Sequence, residues 1–205
     1  MPTLLDRQTA ALPAAAPAAP AFAAAPEHDG ADWCFYSWAA PIISARDISA
    51  PDDIAELAAT LPRPLVFTGG VFDLLHAGHV DSLQGARRFG RSLVVGVNSD
   101  ASVRRLGKAP GRPIHAAADR CSVVAGLAVV DAVVCFDEDT PLELLRLLRP
   151  DVCVKGSDYD ADRLPEAALV RQWGGRIEIV PRVRALSTTA VIERVRAATV
   201  PRAAS

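Results

Sequence analysis

Cysteine and histidine are both scarce in this chain, and their spacing excludes more than their number does. Cys34, Cys121, Cys135 and Cys153 are widely separated, with no C-x-x-C pair and no histidine at metal-ligand spacing. That excludes a cysteine-based zinc module. Three of the four lie in apolar runs, as reduced core residues of a cytoplasmic protein do. A basic stripe is missing too: the formal charge is −2, and Arg182, Arg184, Arg194, Arg196 and Arg202 are interleaved with apolar residues. Nucleic acid is therefore not an expected partner. No segment reads as a membrane span, so no membrane partner is expected, and there is no internal repeat.

Aromatic residues are few, and four of the eleven are concentrated in Trp33-Cys-Phe-Tyr-Ser-Trp38. Such a cluster rarely stays in water, so residues 32–50 are expected to dock on the domain or on a neighbouring subunit. Residues 1–31 are rich in Ala and Pro and superficially resemble a secretory segment. Pro13, Pro17 and Pro20 break any helix there, and Asp6 offsets Arg7. A disordered tail is expected, with a second short tail over 200–205.

What is present begins at Pro51. Apolar runs at about 65–68, 92–97, 131–136, 152–155 and 176–180 predict five strands. Helical segments are predicted at 51–61, 78–89, 100–106, 117–127, 140–148, 164–173 and 188–197, each opened by residues suited to a helix start or separated from a strand by a short connection. Runs apolar throughout suit strands buried on both faces. The expected architecture is α/β, a Rossmann-like five-stranded parallel sheet with helices on both faces, spanning residues 51–199. In such a sheet the ligand lies beyond the carboxyl ends of the strands, at the switch in strand order. Polar residues gather at those ends: residues 69–79, Asn98-Ser-Asp100, Lys155-Gly-Ser-Asp-Tyr159 and Ser187-Thr-Thr189. Neither G-x-G-x-x-G nor a Walker-type loop follows the first strand, which argues against an ordinary dinucleotide or P-loop site.

His76-Ala-Gly-His79 stands just after that strand and at a predicted helix N-terminus. Unpaired N–H groups and the positive end of the helix dipole favour an anion there. Histidines three residues apart share a face and can address one ligand. Other positions stay open between two roles. Asp73 orients the histidine loop, reaches a sugar or metal, or forms an Asx turn. Arg120 binds phosphate or pairs with Asp119 or Asp131. Lys155 ends a buried strand and is expected at a substrate phosphate or hydroxyl. Asp137, Glu138 and Asp139 form an acidic turn that caps a helix or, less readily, holds a metal; no protein-bound metal is expected.

The stretches Gly70-Val-Phe-Asp-Leu-Leu-His-Ala-Gly-His79, Val97-Asn-Ser-Asp-Ala-Ser-Val103, Gly111-Arg-Pro113, Asp119-Arg120, Asp137-Glu-Asp-Thr-Pro141, Val154-Lys-Gly156, Asp158-Tyr159 and Ser187-Thr-Thr189 together resemble the H-x-G-H nucleotidylyltransferase superfamily. Within it the likeness is to the cytidylyltransferase-like group, on the side of members that adenylylate a heptose 1-phosphate. The resemblance covers residues 54–196. It implies a nucleotidylyltransferase fold and a reaction in which a sugar 1-phosphate oxygen attacks the α-phosphorus of ATP. Magnesium accompanies ATP, and pyrophosphate leaves.

The resemblance also implies roles. His76, His79 and Lys108 become the catalytic set, with Lys108 in a glycine-flanked loop over the phosphates. Thr68, Gly69, Gly70, Phe72, Gly78, Asn98, Asp100, Arg120, Ser187, Thr188 and Thr189 surround the nucleotide. Asp73, Arg112, Lys155, Gly156 and Asp158 face the sugar phosphate. A homodimer and a separate sugar kinase are the implied partners. Gly69, Ser82, Ser157 and Leu186 depart from the family pattern, and they bear on the sugar more than on the reaction. Two readings stay open beside this one: a cytidylyltransferase for glycerol 3-phosphate or a phosphorylated amino alcohol, and a module that senses a nucleotide without catalysis.

Overall fold

A computed structural model describes residues 42–43, 51–107, 110–157, 164–181 and 186–199. The expected tails and the aromatic cluster at 33–38 lie outside the described residues, as do Lys108 and Asp158.

Six strands form one parallel sheet: β1 (Ile42–Ile43), β2 (Leu65–Gly70), β3 (Ser92–Asn98), β4 (Ala132–Phe136), β5 (Val152–Gly156) and β6 (Arg176–Val180). The five predicted strands are all there. Ile42–Ile43 adds a two-residue edge strand beside β4, within the segment expected to dock. Seven helices alternate with them: α1 (Pro51–Thr60), α2 (Ala77–Arg87), α3 (Asp100–Arg105), α4 (Ala117–Ala125), α5 (Leu142–Leu148), α6 (Pro165–Arg171) and α7 (Thr188–Thr199). Helix α5 starts after Pro141 rather than at Thr140.

Residues along each strand alternate between two faces, and each face has its own core. Val66, Val95, Val133 and Val152 pack against Leu83 of α2 and Val124 of α4. Leu65, Phe67, Val134 and Cys153 pack against Ile54 of α1, Leu145 of α5 and Val170 of α6. Gly96 makes room for this second face, because a Cβ there would lie 2.8 Å from the Phe67 ring and 3.2 Å from that of Phe136. The described cysteines Cys121, Cys135 and Cys153 are buried and form no disulfide. A hydrogen bond with Cys135 and burial hold the Cys121 thiol well above its ordinary range, and burial pushes Cys153 up to about 12. These are packing residues, as their apolar surroundings suggest. No helix among the described residues is long and apolar enough to cross a membrane.

The strand order is β1-β4-β3-β2-β5-β6. From β2 the chain runs outward through β3 and β4, then returns to place β5 on the other side of β2. The switch point therefore lies between β2 and β5, and the crevice that opens there lies at their carboxyl ends. The opposite end of the sheet is pinned by two aspartates. Asp151 accepts from Leu65 N at 2.6 Å while its own N–H donates to Leu65 O at 2.9 Å. Asp131 makes the same reciprocal pair with Leu93, at 2.7 and 2.9 Å.

Asp151→Ala would leave the Leu65 N–H without its acceptor at the end of the sheet away from the crevice. It is expected to lower unfolding stability by about 1–3 kcal/mol in urea titration, while the kcat of any activity carried at the crevice stays within twofold of wild type.

Candidate functional site

The chain leaves β2 at Gly70 and makes a tight loop before α2. Phe72 and Leu74 both take positive φ, 49° each, on either side of Asp73. Side-chain-bearing residues seldom adopt this conformation, and a loop that does so twice in three residues is held from outside. The holder is Asp73. Its side chain is fully buried, and it accepts from Ile114 N at 2.9 Å, His115 N at 3.1 Å and Arg112 Nε at 3.0 Å. Burial alone would raise its pKa, but the two backbone donors and Arg112 outweigh it and hold the carboxyl below its ordinary value. The Asp73 carbonyl accepts from Thr188 Oγ1 at 2.7 Å.

His76 is the N-cap of α2, in extended conformation, and His79 is the third residue of the helix. The His76 carbonyl accepts from His79 N at 2.9 Å. In return the His76 N–H donates to His79 Nδ1 at 3.4 Å, in the manner of a capping box. With Nδ1 used as an acceptor, a neutral His79 carries its proton on Nε2, which is then a donor. The two imidazoles stack with centroids 3.9 Å apart and planes 14° apart, and the Phe72 ring lies against His79 at 5.4 Å. Burial, then the neighbouring His76, then Arg112 push His79 down to about 4, against a smaller opposite pull from Asp73. His79 is thus neutral at physiological pH in the free protein, a hydrogen-bond donor rather than a fixed charge.

Gly78 is where this packing becomes tight. A Cβ at that position would lie 3.1 Å from two atoms of the His76 ring and 3.4 Å from Leu186 Cβ. The closeness of Leu186, two residues before α7, brings the N-terminal ends of α2 and α7 near each other here. Ser187 caps α7, its Oγ accepting from Ala190 N at 3.1 Å, and Thr189 is exposed. Two helix N-termini therefore converge beside the stacked histidines, an arrangement suited to a polyanion. A cavity of about 400 Å³ opens next to His76, lined by Phe72, Leu74, Leu75, His115, Val123 and Val191 among others.

The structure places the other expected site residues as follows. The Asp73 carboxylate orients the histidine loop, one of the roles expected for it, and Arg112 gives it its Nε. Thr188 Oγ1 bonds inward to the Asp73 carbonyl. Arg120 pairs with neither Asp119 nor Asp131. Its buried guanidinium donates to His115 O, Val71 O, Asn98 O and Asp100 Oδ1 at 2.6–3.1 Å, which leaves no exposed face for phosphate. Asp100 and Asn98 are bound into this strut, and Asn98 Nδ2 donates to Ser102 Oγ at 3.0 Å. Thr68 Oγ1 donates to Val154 O at 3.0 Å, joining β2 to β5. The acidic turn is engaged by Ser99, which bonds Asp137, and by Arg105, which pairs with Asp139 at 2.8 Å.

Gly69 and Gly70 stand at the carboxyl end of β2, with Lys155 and Gly156 at the end of neighbouring β5. Lys155 has a partner the sequence reading missed: Glu166 of α6, whose Oε1 lies 2.7 Å from Nζ. The available signal was a glutamate in the first turn of the helix that follows a strand ending in lysine. Among the described residues, no group of three or more His, Cys, Asp or Glu side chains is placed to hold a metal ion.

Two measurements follow from this geometry. Gly78→Ala should press on the His76 ring and lower the rate of the site's chemistry about tenfold or more through misplacement, with the far-ultraviolet circular dichroism unchanged. In the free protein the His79 ring, followed by histidine NMR, should titrate near 4. A bound polyanion favours the imidazolium, so its addition should move that value upward.

Residues 67–194 match the family model described as cytidylyltransferase-like. The chain is 54% identical over 153 residues to a protein of Bordetella bronchiseptica named D-beta-D-heptose 1-phosphate adenylyltransferase, a match covering 74% of this chain and 94% of that one. It is 53% identical over 160 residues to the bifunctional protein HldE of Streptomyces coelicolor, covering 75% of this chain and 34% of that protein. A solved structure of a lipopolysaccharide core biosynthesis protein from Thermoplasma volcanium superposes with a TM-score of 0.51 at 29% identity, covering 60% of this chain and 98% of that one. The matched segment contains the stacked histidines, the Asp73 knot and the start of α7, and the chain belongs to the cytidylyltransferase-like family.

Proposed function

We propose that this protein transfers AMP from ATP to a heptose 1-phosphate, most simply the D-glycero-β-D-manno form, giving ADP-heptose and pyrophosphate. The observation that carries the reading is the stacked His76–His79 pair at the meeting point of two helix N-termini. The identity to the Bordetella protein, across nearly all of its length, supports the choice of sugar and nucleotide.

In-line displacement at phosphorus asks for positioning and charge stabilisation rather than covalent help from the protein. A sugar phosphate oxygen attacks the α-phosphorus, and the bond to the bridging oxygen of the leaving pyrophosphate breaks. His79 Nε2–H donates to the α-phosphate, where charge shifts in the transition state, and His76 serves the α–β bridge. Ser187, Thr189 and the first turn of α7 receive the β- and γ-phosphates. ATP would carry magnesium as its counter-ion, which would neutralise part of the phosphate charge.

Lys108 supplies a positive charge to the phosphates. Of the glycines near it in sequence, Gly107 and Gly111 have φ of 59° and 77°, with no atom of the described residues within 4 Å of where a Cβ would lie. A sugar kinase is the proposed source of the sugar 1-phosphate.

A pyrophosphate-release assay with ATP and CTP against a panel of sugar and alcohol phosphates tests the reading. ATP with heptose 1-phosphate should give the highest kcat/KM; activity with CTP alone would overturn it, and ATP binding without turnover on any acceptor would point to a sensor. His79→Ala should lower kcat by about 10²–10³ with little change in KM for ATP, because the lost contact is made mainly in the transition state.

A further inference from the structure

Lys155 and Glu166 form a buried ion pair at the crevice between β2 and β5, with side-chain exposures of 11% and 6%. Only one carboxylate oxygen of Glu166 is used. Oε1 accepts from Lys155 Nζ at 2.7 Å, whereas Oε2 is buried with no hydrogen-bond partner among the described residues. A buried carboxylate oxygen without a donor is costly, and folded chains rarely leave one so. The pair's position suggests where a donor comes from. Strand register sets Thr68 beside Val154, which carries Lys155 and Gly156 to the level of Gly69 and Gly70, just ahead of the histidine loop. At Gly156 no atom of the described residues lies within 4 Å of where a Cβ would be.

The chemistry of the pair selects the ligand group. Lysine alone at this edge would suit a phosphate. With a carboxylate at 2.7 Å the Lys155 charge is already paired, and the idle Oε2 repels phosphate oxygens. A hydroxyl fits instead, donating to Oε2 while its own oxygen faces the ammonium.

We propose that Glu166, with Lys155, receives a ring hydroxyl of a bound sugar, and that Glu166 is a specificity-determining residue of this site. The proposal rests on the sugar-nucleotide reading above. Two sugars enter that reaction, the ribose of the nucleotide and the acceptor, and both present the same chemistry.

Calorimetric binding of α,β-methylene ATP, its 2′-deoxy and 3′-deoxy forms, heptose 1-phosphate and its monodeoxy forms separates them. On the wild-type protein one missing hydroxyl should weaken binding by about tenfold or more. On Glu166→Met the same deletion should cost no more than about twofold, since a site that has lost its acceptor no longer discriminates. The ligand whose deletion behaves in this way identifies ribose or acceptor. The double variant K155M/E166M replaces the ion pair with an apolar one, which buried sites commonly tolerate, and should lose the same discrimination if Glu166→Met does not fold. Equal losses in wild type and variants for every deletion would overturn the proposal. Failure of the adenylyltransferase reading would show separately, as absence of pyrophosphate release by the wild-type protein.

Discussion

The Asp73 carboxylate is the constraint on which the rest of the site depends. Its two oxygens are filled by the Ile114 and His115 amides and by Arg112, and its carbonyl is held by Thr188. Three segments distant in sequence are thereby tied to one residue: the histidine loop, the 112–115 strap and the start of α7. Without it the Ile114 and His115 amides and the Arg112 guanidinium would lose their shared acceptor, and the histidine loop its anchor. This is why two positive-φ residues can flank Asp73 without the loop relaxing. The strain sets the entry of the chain into α2, and with it the position of His76.

The polar groups around the crevice divide into those that build it and those left to act. Arg120 is a builder, since its guanidinium joins Val71, Asn98, Asp100 and His115 and presents no face to solvent. His79 belongs to the other class. It is kept neutral by burial and by the neighbouring His76 and Arg112, so the imidazole carries little charge of its own. An arriving polyphosphate reverses that balance, and the group gains positive character where negative charge is placed. The helix N-termini supply the permanent part of the field.

Much of this was legible along the chain. The strands were readable because parallel strands covered on both faces are apolar throughout, and the helices because proline, serine and carboxylates mark their starts. His76 and His79 were readable because their partners are local: the helix that orients them begins at the motif. The partners of Arg120, Thr188 and Lys155 were not readable, for the converse reason. Each has a decisive partner far along the chain or on another element: Val71 for Arg120, Asp73 for Thr188, Glu166 for Lys155. A charged residue near a strand end looks the same in sequence whether its partner is a substrate or another side chain.

The sequence by itself determined the alternation of strand and helix, the place of the crevice at the strand ends and the histidine pair that addresses an anion, because each depends on spacing within a few residues. The tertiary structure alone decided which polar groups are spent inside the protein, that the two helix N-termini converge, and that His79 is neutral. Those depend on burial and on donors brought together across the fold, and neither can be read from one residue's neighbours in the chain.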